Sequence, residues 1–288
     1  MPTPRQVLKK YDIRPLKRYG QSFLVDQNII TKIVESVEIE RSNTIVEIGA
    51  GIGVMTGQLA RKAQTVIALE IDSRMIDLLQ EELKDLSNVN VIHQDILEYD
   101  MSLPLRTEHR AGKLKIVGNI PYNISSQILF RMIRFRDHIS TAVLMFQKEV
   151  GDRITASPGS SSYGILSVLT SMYMVASKVM TVPPGCFYPK PRVDSVVVKL
   201  RVRTISLVEM DDHELFRKVV RQAFSKRRKT LYNNLKVATS FKLAPSKILE
   251  IFKILGIDEK RRGETLTVEE FGELSNLIGK MQKTGGRS

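Results

Sequence analysis

Between about residues 44 and 200, short apolar runs rich in β-branched residues alternate with stretches whose apolar positions recur every three to four residues. TIVEI (44–48), TVIAL (65–69), NVNVI (88–92), LKIVG (114–118) and TAVLM (141–145) predict strands buried on both faces. Residues 53–61, 72–85 and 125–135 carry the helical period. This alternation predicts an α/β domain, a mostly parallel sheet with helices on both faces. SVVVKLRV (195–202) adds an alternating strand after a Pro-rich turn, and 203–208 reads as a linker. From Asp211 the strand signal stops. Leu215, Phe216, Val219, Val220, Ala223 and Phe224 share one helical face, and apolar periodicity returns near 248–255 and 268–278. The expected division is therefore 1–203 for the α/β domain, with a basic segment 1–24, and 204–288 for a small all-helical domain. Residues 103–113 and 157–162 read as long mobile loops, and 283–288 as a frayed tail.

Composition narrows the classes. At 288 residues, with 42% hydrophobic and 26% charged, the chain has room for two folded domains and is not disordered. No run approaches the roughly 18 apolar residues of a membrane span. The basic N-terminus lacks the apolar core of a secretory signal. The single Cys186 cannot form an intrachain disulfide, so the cytoplasm is the expected compartment. Neither Cys186 nor the four histidines show metal-ligand spacing, and no metal is expected.

Charge adds a partner. The net charge is +13, and it is concentrated. Residues 1–24 hold six Lys or Arg against one Asp, and 217–242 hold nine with no acid, which leaves the remainder near neutral. Two basic stretches on a near-neutral body fit a polyanion binder. The alternative is a solvated, helix-promoting surface.

Three motifs carry chemistry. VEIGAGIGVMT (46–56) has an acid, Glu47, at the end of a strand, then Gly49, Gly51 and Gly53 in a tight turn into a helix. The spacing E-x-G-x-G-x-G misses the dinucleotide pattern G-x-G-x-x-G. It resembles the first motif of Rossmann-like class I S-adenosylmethionine-dependent methyltransferases. Glu70 ends the second strand, where a carboxylate can accept from ribose hydroxyls. Asp95 follows the third, where it can accept from an adenine amine. GNIPYN (118–123) resembles the signature of methyltransferases acting on N6 of adenine. That nitrogen is a poor nucleophile, because its lone pair is delocalised into the ring. Acceptors at the Asn119 side chain and the Ile120 carbonyl would take its two hydrogens and free the lone pair. Pro121 would fix the turn, and Tyr122 would stack on the base.

KRYGQSFL (17–24), VEIGAGIG, IALEID (67–72), QDIL, NIPYNIS (119–125), MFQKEVGDRI (145–154), VPPGCFYPKPRVDS (182–195) and AFSKRRKTLYNNL (223–235) occur in this order. Together they resemble the ribosomal RNA adenine N6,N6-dimethyltransferases over nearly the whole chain. AFSKRRKTLYNNL and the helical tail resemble the bacterial small-subunit (16S) branch more than the sister branch that confers erythromycin resistance. The resemblance implies S-adenosylmethionine as methyl donor and S-adenosylhomocysteine as product. It implies two adjacent adenosines near the 3′ end of small-subunit RNA as targets, in the subunit or an assembly intermediate. Ser22, Leu24 and Gly49 would line the methionine part, Glu70 the ribose and Asp95 the adenine, with Gly51 also at the cofactor, and Asn119 would touch donor and target. Phe187 would be the second aromatic wall beside Tyr122, or else a core phenylalanine. Lys17, Arg18, Arg221, Lys226, Arg227, Arg228 and Lys229 would contact RNA phosphates. Ser22 stands where the family usually has Asn, which leaves open whether its side chain or its backbone contributes, and Ala50 replaces a common Pro. A monomer without membrane contact is expected. The rival readings are methylation of large-subunit RNA, a non-catalytic assembly factor on the same fold, and a small-molecule methyltransferase.

Overall fold

The sequence forms two layered units, which the computed structural model describes over residues 4–16, 20–107, 112–241 and 243–285. The chain opens with helix α1 (Pro4–Lys10), a two-residue strand β1 (Phe23–Leu24) and helix α2 (Gln27–Ser36). Strand and helix then alternate through β2 (Thr44–Ile48), α3 (Val54–Ala60), β3 (Thr65–Glu70), α4 (Ser73–Glu82), β4 (Val89–His93) and α5 (Leu103–Thr107). They continue through β5 (Leu114–Asn119), α6 (Ser125–Arg134), β6 (Ile139–Gln147) and α7 (Lys148–Ile154). Next come α8 (Ile165–Tyr173), β7 (Met174–Val182), β8 (Phe187–Tyr188) and β9 (Ser195–Val202). The chain closes with α9 (His213–Ala223), α10 (Leu231–Leu235), α11 (Pro245–Leu255) and α12 (Val268–Gly285).

The main sheet has seven strands in the order β4-β3-β2-β5-β6-β9-β7. β4 through β6 run parallel, and β9 pairs antiparallel to β6. Alternate residues face opposite sides of a sheet. Ile45, Val66, Val117, Val143, Met145 and Val197 pack with Ile30, Ile33 and Val34 of α2 and Leu59 of α3. Ala68 extends that face toward α1 and α4, through Val7, Leu8, Met75, Leu78 and Leu79. Residues of the other parity, among them Val46, Ile48, Leu69, Ile116, Leu144 and Phe146, are buried as well, so both faces are covered. This burial is what made the strands read as continuous apolar runs. Asp26 and Asp72 cap the first turns of α2 and α4 with their side-chain oxygens.

Strand order reverses at β2, which has β3 on one side and β5 on the other. Loops leaving the carboxyl ends of β2 and β5 diverge there, and the crevice between them is where α/β sheets bind ligands. The two strands pack very closely at that end. A Cβ on Gly118 would lie 2.7 Å from the Ile48 carbonyl oxygen and 3.0 Å from the Ile48 Cβ.

The division at 203/204 needs correcting. Residues up to Gly151 and Val175–Val202 form one unit, whereas Asp152–Met174 and the residues from Arg203 onward form the other. Segment 152–174 therefore belongs with the helices. Arg203 ties to it through N–H to the Tyr173 carbonyl (2.8 Å) and Nε to the Ser171 carbonyl (3.0 Å). The stretch 157–162, expected as a mobile loop, is bonded into this unit, with Gly159 N–H on the Glu264 carbonyl at 2.7 Å. Tyr163 packs edge-on against Phe224. The helical core is built from Phe216, Val219, Val220, Leu231, Leu235, Phe241, Ile251, Phe252, Phe271, Leu274 and Ile278.

Other expectations shift locally. β4 is an edge strand with two exposed positions, Asn90 and His93, and is not buried on both faces. Residues 103–107 form the short helix α5. α12 runs to Gly285, so 283–285 are helical, and 286–288, like 108–111, lie outside the described residues. Helix α8 and strands β1, β7 and β8 are additions to the sequence reading.

Because no rotamer relieves a Cβ–backbone clash, Gly118→Ala should cost about 2–4 kcal/mol of stability or force β2 and β5 apart. Urea unfolding followed by circular dichroism measures this, and a variant as stable as the parent would refute the tight approach.

Candidate active site

The glycine turn is held by the strand beside it. Gly49, Gly51 and Gly53 have φ of 70°, 57° and 77°, in the left-handed region that glycine enters without penalty. Gly49 and Ala50 donate N–H to the Leu69 carbonyl at 2.9 and 3.1 Å. Gly51 N–H donates to Glu70 Oε2 at 2.8 Å. Glu70 Oε1 in turn accepts the N–H groups of Ile71 and Asp72, both at 2.9 Å. The buried Glu70 carboxylate therefore organises the turn itself. About one of its roughly four acceptor positions remains for a ribose hydroxyl. Burial raises its pKa above the ordinary range despite the three amide donors.

Across the crevice, Asn119 ends β5. Its Nδ2 donates to the Ser22 carbonyl at 2.7 Å, which fixes the amide's orientation and leaves Oδ1 as the accepting end. Ser22 Oγ donates to the Pro189 carbonyl at 2.6 Å. The Ser22 carbonyl and hydroxyl are thus both engaged with protein. Pro121, at φ −59° and ψ 131°, turns the chain into the single 3-10 turn that carries Tyr122. The Tyr122 hydroxyl meets Ser195 Oγ at 2.6 Å, and burial raises the phenol's pKa.

Two adjoining cavities share Phe23, Gly49, Gly51 and Asn119 in their lining. One is closed by Leu24, Glu47 and Met55, the other by Ser22, Glu70, Ile71, Ile120 and Tyr122. The structure therefore brings together Ser22, Leu24, Gly49, Gly51, Glu70, Asn119, Ile120, Pro121 and Tyr122. Asp95 lies one strand over, in the turn after β4. Its Oδ1 accepts the Leu97 N–H at 2.8 Å, and it lines neither cavity.

Phe187 departs from the expected aromatic wall. It is fully buried and packs in the core with Leu24, Ile30 and Val182. In the two-stranded ribbon β1–β8, Phe187 pairs with Leu24 and Tyr188 with Phe23. Cross-strand partners share a face, so Phe187 points to the core with Leu24.

Among the lining residues that sequence reasoning gave no role are Phe23, Ile71 and Glu47. Phe23 and Ile71 supply apolar walls, and Ile71 is 39% exposed. Glu47 is wholly buried, and its Oε2 has no hydrogen-bond partner. Burial, reinforced by the nearby Glu70, pushes its pKa up to about 8. The signal for Glu47 was an acid inside an otherwise apolar strand.

The second basic stretch forms the turn between α9 and α10 in the helical unit. Asn234, buried there, donates Nδ2 to the carbonyls of Ala223 (2.7 Å) and Lys226 (3.1 Å). That fixes the turn's backbone from within. Lys226, Arg228 and Lys229 are exposed on it, as is Arg221 at the end of α9. Arg227 bonds to the Ser161 carbonyl and pairs with Glu264 at 3.5 Å. Lys17 and Arg18 lie outside the described residues. Among the described residues, no group of three or more His, Cys, Asp and Glu could hold a metal, and no helix is long and apolar enough to cross a membrane.

The family described as "Ribosomal RNA adenine dimethylase" matches residues 14–280. A "Ribosomal RNA small subunit methyltransferase A" from Syntrophus aciditrophicus is 48% identical over 274 residues, covering 95% of this chain and 98% of that one. A protein of the same name from Clostridium acetobutylicum is 40% identical, covering 95% and 97%. Among solved structures, a dimethyladenosine transferase from Plasmodium falciparum superposes with a TM-score of 0.78 at 28% identity, covering 91% of this chain and 98% of that chain. The 23S rRNA methyltransferase ErmE superposes with a TM-score of 0.67 at 26% identity, covering 89% and 99%.

Glu47 makes stability depend on pH in a defined direction. Its folded pKa lies above the unfolded value, so the folded protein holds an extra proton between about pH 4.5 and 8, and stability falls as pH rises through that window. The limit is about 1.4 kcal/mol per pH unit. Glu47→Gln should flatten this slope and be more stable than the parent at pH 8, with a remnant from Glu70. Urea midpoints at pH 5 and pH 8 measure it, and an unchanged slope would remove Glu47 from the account.

Proposed function

Because the chain belongs to the ribosomal RNA adenine dimethylase family, we propose that it transfers methyl groups from S-adenosylmethionine to N6 of adenosines in small-subunit ribosomal RNA. The observation that carries this reading is the oriented Asn119 amide, set beside the glycine turn at the reversal in strand order. The residues present suit the methyl donor. Glycines without side chains at 49 and 51 leave room beside the turn, and the orphaned Glu47 oxygen suits a cationic amine. Leu24, Gly49 and Gly51 would hold the methionine part, Glu70 and Ile71 the nucleoside, with Asp95 reaching the adenine from the next strand. When bound, S-adenosylmethionine supplies an electrophilic methyl group and a neutral leaving group.

The chain's own contribution is positioning and electrostatics. Asn119 Oδ1 and the Ile120 carbonyl accept the hydrogens of the target amine, which makes its lone pair available. Pro121 sets the direction of that carbonyl. The Tyr122 ring offers one stacking surface for a base drawn out of its helix. Phe187 supports the ribbon from beneath and is not a second stacking wall. No strong general base is required, because the nitrogen becomes cationic and strongly acidic once methylated, and its proton then passes to water.

RNA is held by backbone contacts at Lys226, Arg228, Lys229 and Arg221, with Lys17 and Arg18 assigned from sequence alone. The turn, its backbone held by Asn234, presents its exposed cations toward solvent, where phosphates can reach them. The finer target, two adjacent adenosines near the 3′ end, rests on the resemblance of the motifs. The reading takes the protein to act as a monomer. The reading places the protein in the cytoplasm, where bacterial ribosomal subunits assemble.

Incubation with labelled S-adenosylmethionine and unmodified small and large subunits, followed by nucleoside mass analysis, tests the reading. Dimethyladenosine in small-subunit RNA alone is expected. Label in large-subunit RNA, or none, would overturn it. Asn119→Ala should lower turnover at least a hundredfold while S-adenosylmethionine still binds. Retained turnover would remove the amide from the chemistry. Replacing Lys226, Arg228 and Lys229 together with Ala should reduce the slope of log affinity against log salt by about 2. An unchanged slope would return that turn to an ordinary solvated surface.

A further inference from the structure

Asn119 and Tyr122 carry the chemistry proposed above, yet neither side chain is fixed by its own strand or turn. Each is held from outside, and the two holds converge on one segment. Asn119 Nδ2 reaches the Ser22 carbonyl, and the Ser22 hydroxyl reaches the Pro189 carbonyl. The Tyr122 hydroxyl reaches Ser195 Oγ. Pro189 and Ser195 are the two ends of the Pro-rich stretch that joins β8 to β9.

The stretch is itself anchored. Tyr188, just before Pro189, pairs with Phe23 in the ribbon. The Asp194 carbonyl, just before Ser195, accepts the Lys148 N–H at 2.9 Å. Ser195 is fully buried and opposite Gln147 in the register of β6 and β9. Tyr122 follows β5, so its ring crosses the end of β6 to reach β9, two strands away in the sheet. The Tyr122 carbonyl is also held, accepting from Ser125 Oγ at 2.5 Å. With backbone and hydroxyl both tied, the ring's long axis is set before any base arrives.

We propose that Ser22 and Ser195 are positioning residues for methyl transfer, bracing the accepting amide of Asn119 and the stacking ring of Tyr122 against opposite ends of segment 189–195. Neither serine hydroxyl touches donor or target. Each acts through the residue it holds, so its loss affects turnover more than cofactor affinity. This inference rests on the methyl-transfer reading and deepens it. It gives Ser22 a role through its hydroxyl, at the position where the family usually has Asn.

The test uses the full chain with unmodified small subunits and labelled S-adenosylmethionine, and equilibrium dialysis for cofactor affinity. Ser22→Ala and Ser195→Ala should each lower kcat about tenfold, with cofactor Kd within about twofold of the parent. Ser22→Thr, which keeps the hydroxyl, should recover most of the loss. Tyr122→Phe keeps the ring and breaks the same link from the other end, so it reads the bond even if Ser195→Ala fails to fold. Its combination with Ser195→Ala should be no worse than the poorer single variant. Parental kcat in the single variants would overturn the proposal, as would losses that multiply in the pair or cofactor affinity falling in step with kcat. A parent protein that methylates neither subunit would overturn the functional reading first, and this proposal with it.

Discussion

The site depends on how closely β2 and β5 approach at their carboxyl ends. That approach requires the absence of one side chain, since any Cβ at Gly118 would enter the Ile48 carbonyl. With the strands in contact there, Gly49 and Asn119 are neighbours, and a Cβ on Gly49 would sit 3.7 Å from the Asn119 carbonyl oxygen. The turn expected to hold the donor and the amide expected to hold the acceptor are thereby placed side by side. The reversal of strand order opens the crevice, and the missing side chain keeps it narrow.

Around this crevice the protein keeps two carboxyl groups out of water. Glu70 is compensated by three amides, and Glu47 is left with one oxygen unpartnered. The first arrangement builds the turn that shapes the cavity. The second costs folding free energy whenever Glu47 ionises. An uncompensated group of this kind at a cavity wall fits a complementary cation supplied by a ligand, the stability cost being recovered on binding.

Much of this was legible in the sequence. β2, β3, β5 and β6 announce themselves because strands buried on both faces are almost wholly apolar. The glycine turn and the Asn-Ile-Pro-Tyr motif are readable because few other residues meet their backbone demands. What was missed has equally definite causes. NVNVI does alternate, with Asn90 exposed between Val89 and Val91, and that alternation marks the sheet edge. Helix α8 passes into β7 with no turn residue between Tyr173 and Met174, so one apolar run hides two elements. Phe187 stands beside a Pro-rich turn whether it faces core or ligand, and only its pairing with Leu24 decides. The serine braces were not legible either, since they join residues 73 and 167 positions apart.

The helical unit is assembled from two stretches of chain separated by two strands of the sheet. The polypeptide therefore crosses between the units three times, and no single cut separates them. A ribosome making this protein would finish α8 long before its packing partners α9 and α12 emerge. During that interval Val168, Leu169 and Met172, all buried in the finished protein, lack helices α9 and α12. Early exposure of this helix makes the nascent chain a natural client for chaperones, and any gene fragment ending near residue 203 inherits the same sticky surface permanently.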